Sequence, residues 1–154
     1  MIGKLMEDDI EEVLENNVLG RLGCYDGEKM YIVPITYLYK DKHIIAHSTE
    51  GMKIRMMRKN PKVCFEVDAM KNFTNWKSVI CWGEFQELTS ERQRYEAMKL
   101  FVDRMMHLKI SDTAVLPELA AQRVHPHSPG QIKPVVFRII LTEKTGRYES
   151  GSHQ

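Results

Sequence analysis

Between Val18 and His47 the chain reads as three strands joined by two tight turns, and this run limits the possible folds more than any other stretch. Val18 to Tyr25 ends at Asp26-Gly27, a pair that readily supplies the left-handed backbone of a hairpin turn. Lys29 to Lys40 follows, and Asp41-Lys42 turns the chain again into His43 to His47. Strands that succeed one another through such turns pair antiparallel, because a parallel pair needs a crossover of about a dozen residues or more. Pro34 stands in the middle of the second strand, where its missing N–H marks an edge or a bulge.

Helical periodicities flank these strands. Met6, Ile10, Val13 and Leu14 recur at i, i+4, i+7 and i+8, and Glu7, Asp8, Asp9, Glu11, Glu12 and Glu15 give that helix an acidic, solvated face. Asn16-Asn17 stops it. A second helix fits Gly51 to Asn60, closed by Asn60-Pro61. Val63 to Asp68 and Trp76 to Leu88 are strands; Thr89-Ser90-Glu91 then caps a long helix reaching about His107. Its expected buried stripe is Tyr95, Met98, Phe101, Val102, Met105 and Met106. Ile110 to Lys133 reads as a connection with a helical turn at Pro117 to Gln122, and Val135 to Leu141 returns as a strand. This order favours a mainly β, antiparallel barrel with accessory helices over a doubly wound parallel sheet. The expected organisation is one domain over residues 1–147 and a flexible tail over 148–154.

Composition removes several function classes. With 154 residues the chain suits one ordinary domain, and 22 Lys plus Arg against 21 Asp plus Glu leave no basic field for nucleic acid. No apolar run approaches the ~20 residues of a membrane span, and the acidic start lacks a signal-peptide core, so a cytoplasmic protein is expected. Cys24, Cys64 and Cys81 are widely spaced and read as reduced thiols, with Cys64 and Cys81 buried within apolar strand patterns. His125-Pro-His127 offers two imidazoles without a third ligand nearby, so no metal site is expected. Of ten methionines, Met52, Met56, Met57, Met98, Met105 and Met106 fall on the two internal helices as deformable packing, some at a dimer interface.

The stretch with most chemistry is Ile45 to Lys62. A strand delivers His47, Ser48 and Thr49, and Gly51 leads into a helix carrying Lys53 and Arg55. Free N–H groups and the positive end of the dipole at such a start suit a phosphate, with the two hydroxyls and the Lys53 ammonium completing a cup. The same residues also fit an ordinary helix start, with Ser or Thr as cap and the bases in solvent. Neither G-x-x-x-x-G-K-[ST] nor G-x-S-x-G nor H-E-x-x-H occurs, which favours chemistry borne by a cofactor.

Five segments then match a known pattern in order and spacing: Gly20-Arg21-Leu22-Gly23; Ile32 to Tyr37; His47 to Lys53; Asn60 to Val67; and Trp76 to Phe85. Over residues 1 to about 147 the chain resembles the pyridoxamine 5′-phosphate oxidase-like split-barrel flavoproteins, especially the nitroimidazole-resistance-protein-like branch. The resemblance implies a six-stranded, Greek-key FMN-binding split barrel that forms a homodimer, with FMN at the subunit interface. By position it places Pro34, Ile35, Thr36 and Tyr37 along the isoalloxazine and His47, Ser48, Thr49 and Lys53 at the phosphate. Lys77 and Ser78 fall on the ribityl chain, with Trp82 and Gly83 close by; a bulge at Pro34 and a bare Gly83 suit a flat ring. Met52 stands where the oxidase has an Arg before the phosphate Lys, and the oxidase's C-terminal Trp and Arg have no counterpart in Phe137 to Tyr148. The nitroimidazole-resistance branch fits better, with His47 the candidate catalytic residue. The implied activity is an oxidoreductase passing hydride through flavin N5 to or from a nitroaromatic, a quinone or a pyridoxine-like molecule, with NAD(P)H a candidate donor. The alternatives are a flavin-binding module without turnover and, behind it, a haem-binding split barrel.

Overall fold

The hairpin run folds as its pattern implies, except that its middle strand changes partner halfway. The structure, a computed structural model, describes residues 1–111 and 134–151. In chain order the elements are β1 (Ile2–Lys4), α1 (Glu7–Asn16), β2 (Leu19–Tyr25), β3 (Met30–Thr36), β4 (Leu38–Lys40), β5 (His43–Ser48) and α2 (Met52–Lys59). They continue as β6 (Lys62–Asn72), β7 (Asn75–Glu87), α3 (Glu91–Ser111) and β8 (Val135–Ser150). One antiparallel sheet runs β3-β2-β6-β7-β8-β5-β4, with β1 added on β8. β3 and β4 lie at the two ends of that path, yet only Tyr37 separates them in the chain. A single covalent stretch therefore joins both edges and curls the sheet into a split barrel. Among the described residues it has eight strands rather than the six expected, because the stretch Lys29–Lys40 divides at Tyr37 and β1 adds a short strand.

Alternation along each strand fills the barrel. Leu22, Ile44, Phe65, Val67, Val79, Cys81, Phe137 and Ile139 point inward and are buried. α1 closes one end with Ile10, Val13 and Leu14, and α2 adds Ile54, Met56 and Met57 to the same core. Tyr37 is fully buried, packs edge-on against Phe65 at 5.0 Å and donates its hydroxyl to the Leu14 carbonyl. α3, capped by Ser90 Oγ accepting the Gln93 N–H, lies over a smaller cluster of Leu88, Ala97 and Val136.

Several expectations need correction. Pro34 makes no bulge: the β2–β3 register is unbroken from Leu19↔Thr36 to Tyr25↔Met30, and the residue is tolerated because β3 is an edge. The irregularities lie instead where β7 meets β8, between Trp82 and Gly83, and where β6 meets β7, between Met70 and Asn72. Tyr95 is exposed, about 200° round the helix from buried Ala97. Cys64 is exposed, since it occupies the outward position between buried Val63 and Phe65. The chain from residue 148 is not a tail as far as Ser150: β8 continues there, paired with β7 and with β1 through Gly3↔Tyr148. Gly146 sits inside that strand rather than at its end. The expected turn at Pro117 to Gln122, together with His125 and His127, lies outside the described residues. Among those described, no helix is long and apolar enough to cross a membrane.

Candidate functional site

β4 pairs with β5 from Lys40↔His43 to Leu38↔Ile45, and there the ladder stops. Past that point β3 pairs with β2 while β5 pairs with β8, so the hairpin splits open. Counting on from the last pair, Thr36 holds the register position that corresponds to His47, but no ladder joins them. The seam gathers three of the segments singled out by sequence: 34–36 on β3, 47–49 on β5, and the start of α2. Lys53 lies near enough for its charge to act on both His47 and Cys24.

The backbone of β3 is directed at the opening. The Tyr37 N–H donates to the Val18 carbonyl at 2.8 Å, so odd-numbered residues here bond toward β2. Alternation then turns the backbone groups of Pro34 and Thr36 to the free edge, where proline's missing N–H costs no ladder bond. Ile35 and Tyr37 point their side chains into the core instead.

At the other wall the ordinary capping arrangement is absent. Ser48 faces inward, is buried, and donates its hydroxyl to the Thr49 carbonyl at 2.9 Å. Gly51 is the N-cap of α2 and no side chain caps the helix. A Cβ on Gly51 would meet nothing nearer than the Thr49 carbonyl oxygen at 4.0 Å, so the space before the helix is open. Its first-turn N–H groups, with Lys53 and Arg55 making no ion pair among the described residues, form a positive corner. His47 points outward and stands edge-on to Phe101 at 4.9 Å. Desolvation, and then the Lys53 charge, holds its imidazole below the ordinary value of 6.5. It is therefore neutral near pH 7 and able both to donate and to accept a hydrogen bond.

The β7 residues lie elsewhere, since β2 and β6 intervene between β3 and β7, about 14 Å along the sheet. Ser78 and Trp82 project from the outer sheet face, Ser78 donating to Glu66 Oε1 at 3.4 Å. Lys77 turns inward to α1, 3.6 Å from Asp9 and 3.7 Å from Glu12. Gly83 is buried, and the space of its missing side chain is filled by Ile139 and Ile140 rather than open to a ring. A groove of about 720 Å³ lies away from the seam, beneath α1, between Glu12, Asp68, Trp76, Lys77, Tyr148 and Glu149.

Two arginines near this geometry take roles that the sequence pattern does not assign to them. Arg21 pairs across the ladder with Pro34 and bonds Asp68 at 2.6 Å, with Glu66 at 3.7 Å. Burial and the neighbouring Asp68 raise the Glu66 carboxyl, with Arg21 opposing them. Arg58 binds both Glu50 and Glu87. The signal for Arg21 was a charge inside an apolar strand, and for Arg58 a lone acid beside a helix rich in bases.

The family described as pyridoxamine 5′-phosphate oxidase matches residues 6–147. The chain belongs to the pyridoxamine 5′-phosphate oxidase family. An uncharacterized protein of Rhizobium meliloti (strain 1021) is 36% identical over 148 residues, spanning 93% of this chain and 92% of that protein. Among solved structures, an FAD-binding protein from Mesorhizobium loti superposes with a TM-score of 0.75 at 29% identity, covering 97% of this chain and 99% of that one. A candidate 5-nitroimidazole antibiotic resistance protein from Bacteroides thetaiotaomicron shares the fold, with a TM-score of 0.67 at 16% identity over 96% of this family member and 87% of that chain.

Proposed function

We propose that this family member is an FMN-dependent oxidoreductase acting as a homodimer on a small organic molecule, with the seam between β3 and β5 as the flavin site. The observation that carries the reading is the uncapped start of α2 beside Lys53, set across from an edge strand with free backbone groups. The FAD-binding relative supports a flavin, and a single positive corner suits one phosphate ester, hence FMN.

Bound there, FMN supplies hydride exchange at its N5. The chain does the holding. Lys53 and the first N–H groups of α2 bind the phosphate, with the Thr49 hydroxyl beside them. The Thr36 N–H and the carbonyls of Pro34 and Thr36 match a ring edge that both donates and accepts. His47, being neutral, is suited to hydrogen-bonding a substrate oxygen rather than to adding charge at the phosphate. A nitroaromatic, a quinone or a pyridoxine-like molecule would present such an oxygen, with NAD(P)H as donor.

The second copy completes the reading. The outer sheet face exposes Leu19, Met30, Ile32, Ile80 and Trp82 around the charged cluster of Arg21, Glu66 and Asp68, apolar side chains that a single chain leaves in water. Ser78 and Trp82 stand on that face, where docking would bring them to the other copy's seam.

Purified protein should carry, or take up from added FMN, the visible absorbance of an oxidised flavin; protein that stays colourless rules the reading out. Lys53→Ala should weaken FMN binding by about 1.5 to 3 kcal/mol, the scale of a hydrogen bond to a charged group. Oxidation of NAD(P)H by a quinone or nitroaromatic separates an enzyme from a flavin carrier.

A further inference from the structure

The start of α2 has one carboxylate next to it, and the fold diverts that group. Glu50 precedes the N-cap Gly51 directly, a place where an acid is drawn to a helix's positive end. It is instead held by Arg58 on the last turn of the same helix: Nη1 donates to Glu50 Oε2 at 2.9 Å and Nη2 to Glu50 Oε1 at 2.8 Å. The same guanidinium is anchored on β7, its Nε donating to Glu87 Oε2 at 2.9 Å and its Nη2 to Glu87 Oε1 at 2.8 Å. The fork is thus fixed at both ends by paired bonds, a geometry a lysine does not reproduce. Lys53 and Arg55, the bases nearest the start, are left without a carboxylate among the described residues.

We propose that Arg58 is a positioning and specificity-determining residue for the phosphate corner, keeping Glu50 off the start of α2 so that a phosphate monoester can occupy it. The inference rests on the flavin reading above. Without Arg58 the Glu50 carboxylate can swing to Lys53 and the free N–H groups, where it competes with the phosphate as an internal anion. The Thr49–Gly51 turn also loses its tie to β7. Both effects act at the phosphate and neither at the ring.

FMN and riboflavin share the ring and differ in the phosphate, so their affinities separate these effects. Flavin fluorescence titration of Arg58→Ala should show FMN binding weakened about fivefold to tenfold, with riboflavin binding changed less than about twofold. Glu50→Gln/Arg58→Ala should recover most of the FMN affinity, because the competing charge is gone. Equal losses for FMN and riboflavin, no loss for FMN, or no recovery in the double variant would each overturn the proposal while leaving the flavin site standing. Wild-type protein that binds riboflavin as tightly as FMN would remove the phosphate corner itself, and the proposal with it. If Arg58→Ala does not fold, Arg58→Lys keeps the charge and loses the fork. It should weaken FMN about threefold and leave riboflavin unmoved, and parallel changes would again overturn the proposal.

Discussion

Gly83 bears no side chain because β8 passes too close to it: a Cβ there would stand 2.4 Å from the Ile140 carbonyl oxygen and 2.9 Å from an Ile139 methyl. Backbone cannot swing aside as a flexible side chain can. Gly83→Ala should therefore cost about 2 to 3 kcal/mol, read as a lower denaturant midpoint with an unchanged slope. An unchanged midpoint would mean the two strands can part freely. The thiols divide by the same kind of local geometry. Burial pushes Cys24 up to about 11 and Cys81 up to about 12, while Cys64 lies exposed on the outer face. Since the thiolate is the reactive form, iodoacetamide at about pH 8 should modify Cys64 alone in the native single chain, and all three cysteines after unfolding. Mass spectrometry would count them.

α1 is tied to the barrel by more than its apolar stripe. Glu11 accepts the Tyr39 hydroxyl at 2.6 Å and pairs with Lys144, whose side chain is only 15% exposed. Burial works against the Glu11 charge, but Lys144 and Tyr39 outweigh it and hold the carboxyl below its ordinary 4.5. A lowered carboxyl stabilises the fold above its unfolded value, and that contribution fades as pH falls through the folded one. Glu11→Gln should thus lower stability near neutrality by about 1 to 2 kcal/mol, leaving Lys144 without its charged partner, and the difference from wild type should shrink below about pH 4. Calorimetry across that range checks it. β5 contributes the opposite kind of group. His43 and His47 are both held below 6.5, chiefly by burial, so the unfolded chain takes up their protons first. Stability should fall as pH drops below about 6.5, and His47→Asn should flatten that slope.

For the whole molecule the decisive variable is the uncovered sheet face. If a second copy covers it, dilution to monomer should release bound flavin, and Cys64 should change from protected to labelled over the same concentration range. Flavin retained by a monomer would place the complete site within one chain.

Much of this was open to inspection in one dimension. The Asp26-Gly27 and Asp41-Lys42 turns, the stripe of Ile10, Val13 and Leu14, and the Ser90 cap are written in residues at most a few positions apart. The glycine before a helix of bases is equally plain, and the open, uncapped start of α2 follows from it. The change of partner at Tyr37 could not be: the alternation of Lys29–Lys40 continues straight through it, and only β2 and β5 decide where each half pairs. β8 is longer than its sequence suggests for the same reason, since Gly146 and the polar residues after it resemble a loop until β7 and β1 pair with them.

Local periodicity and turn chemistry were enough for the strands, the helices and the basic segment at the seam, because those depend on neighbours within a turn or two. Which strands became edges, that Gly83 and Tyr37 face the core, and that Ser78 and Trp82 stand apart from the seam were settled only when distant strands paired. A one-residue change of register exchanges inward for outward along a whole strand, and nothing local opposes it.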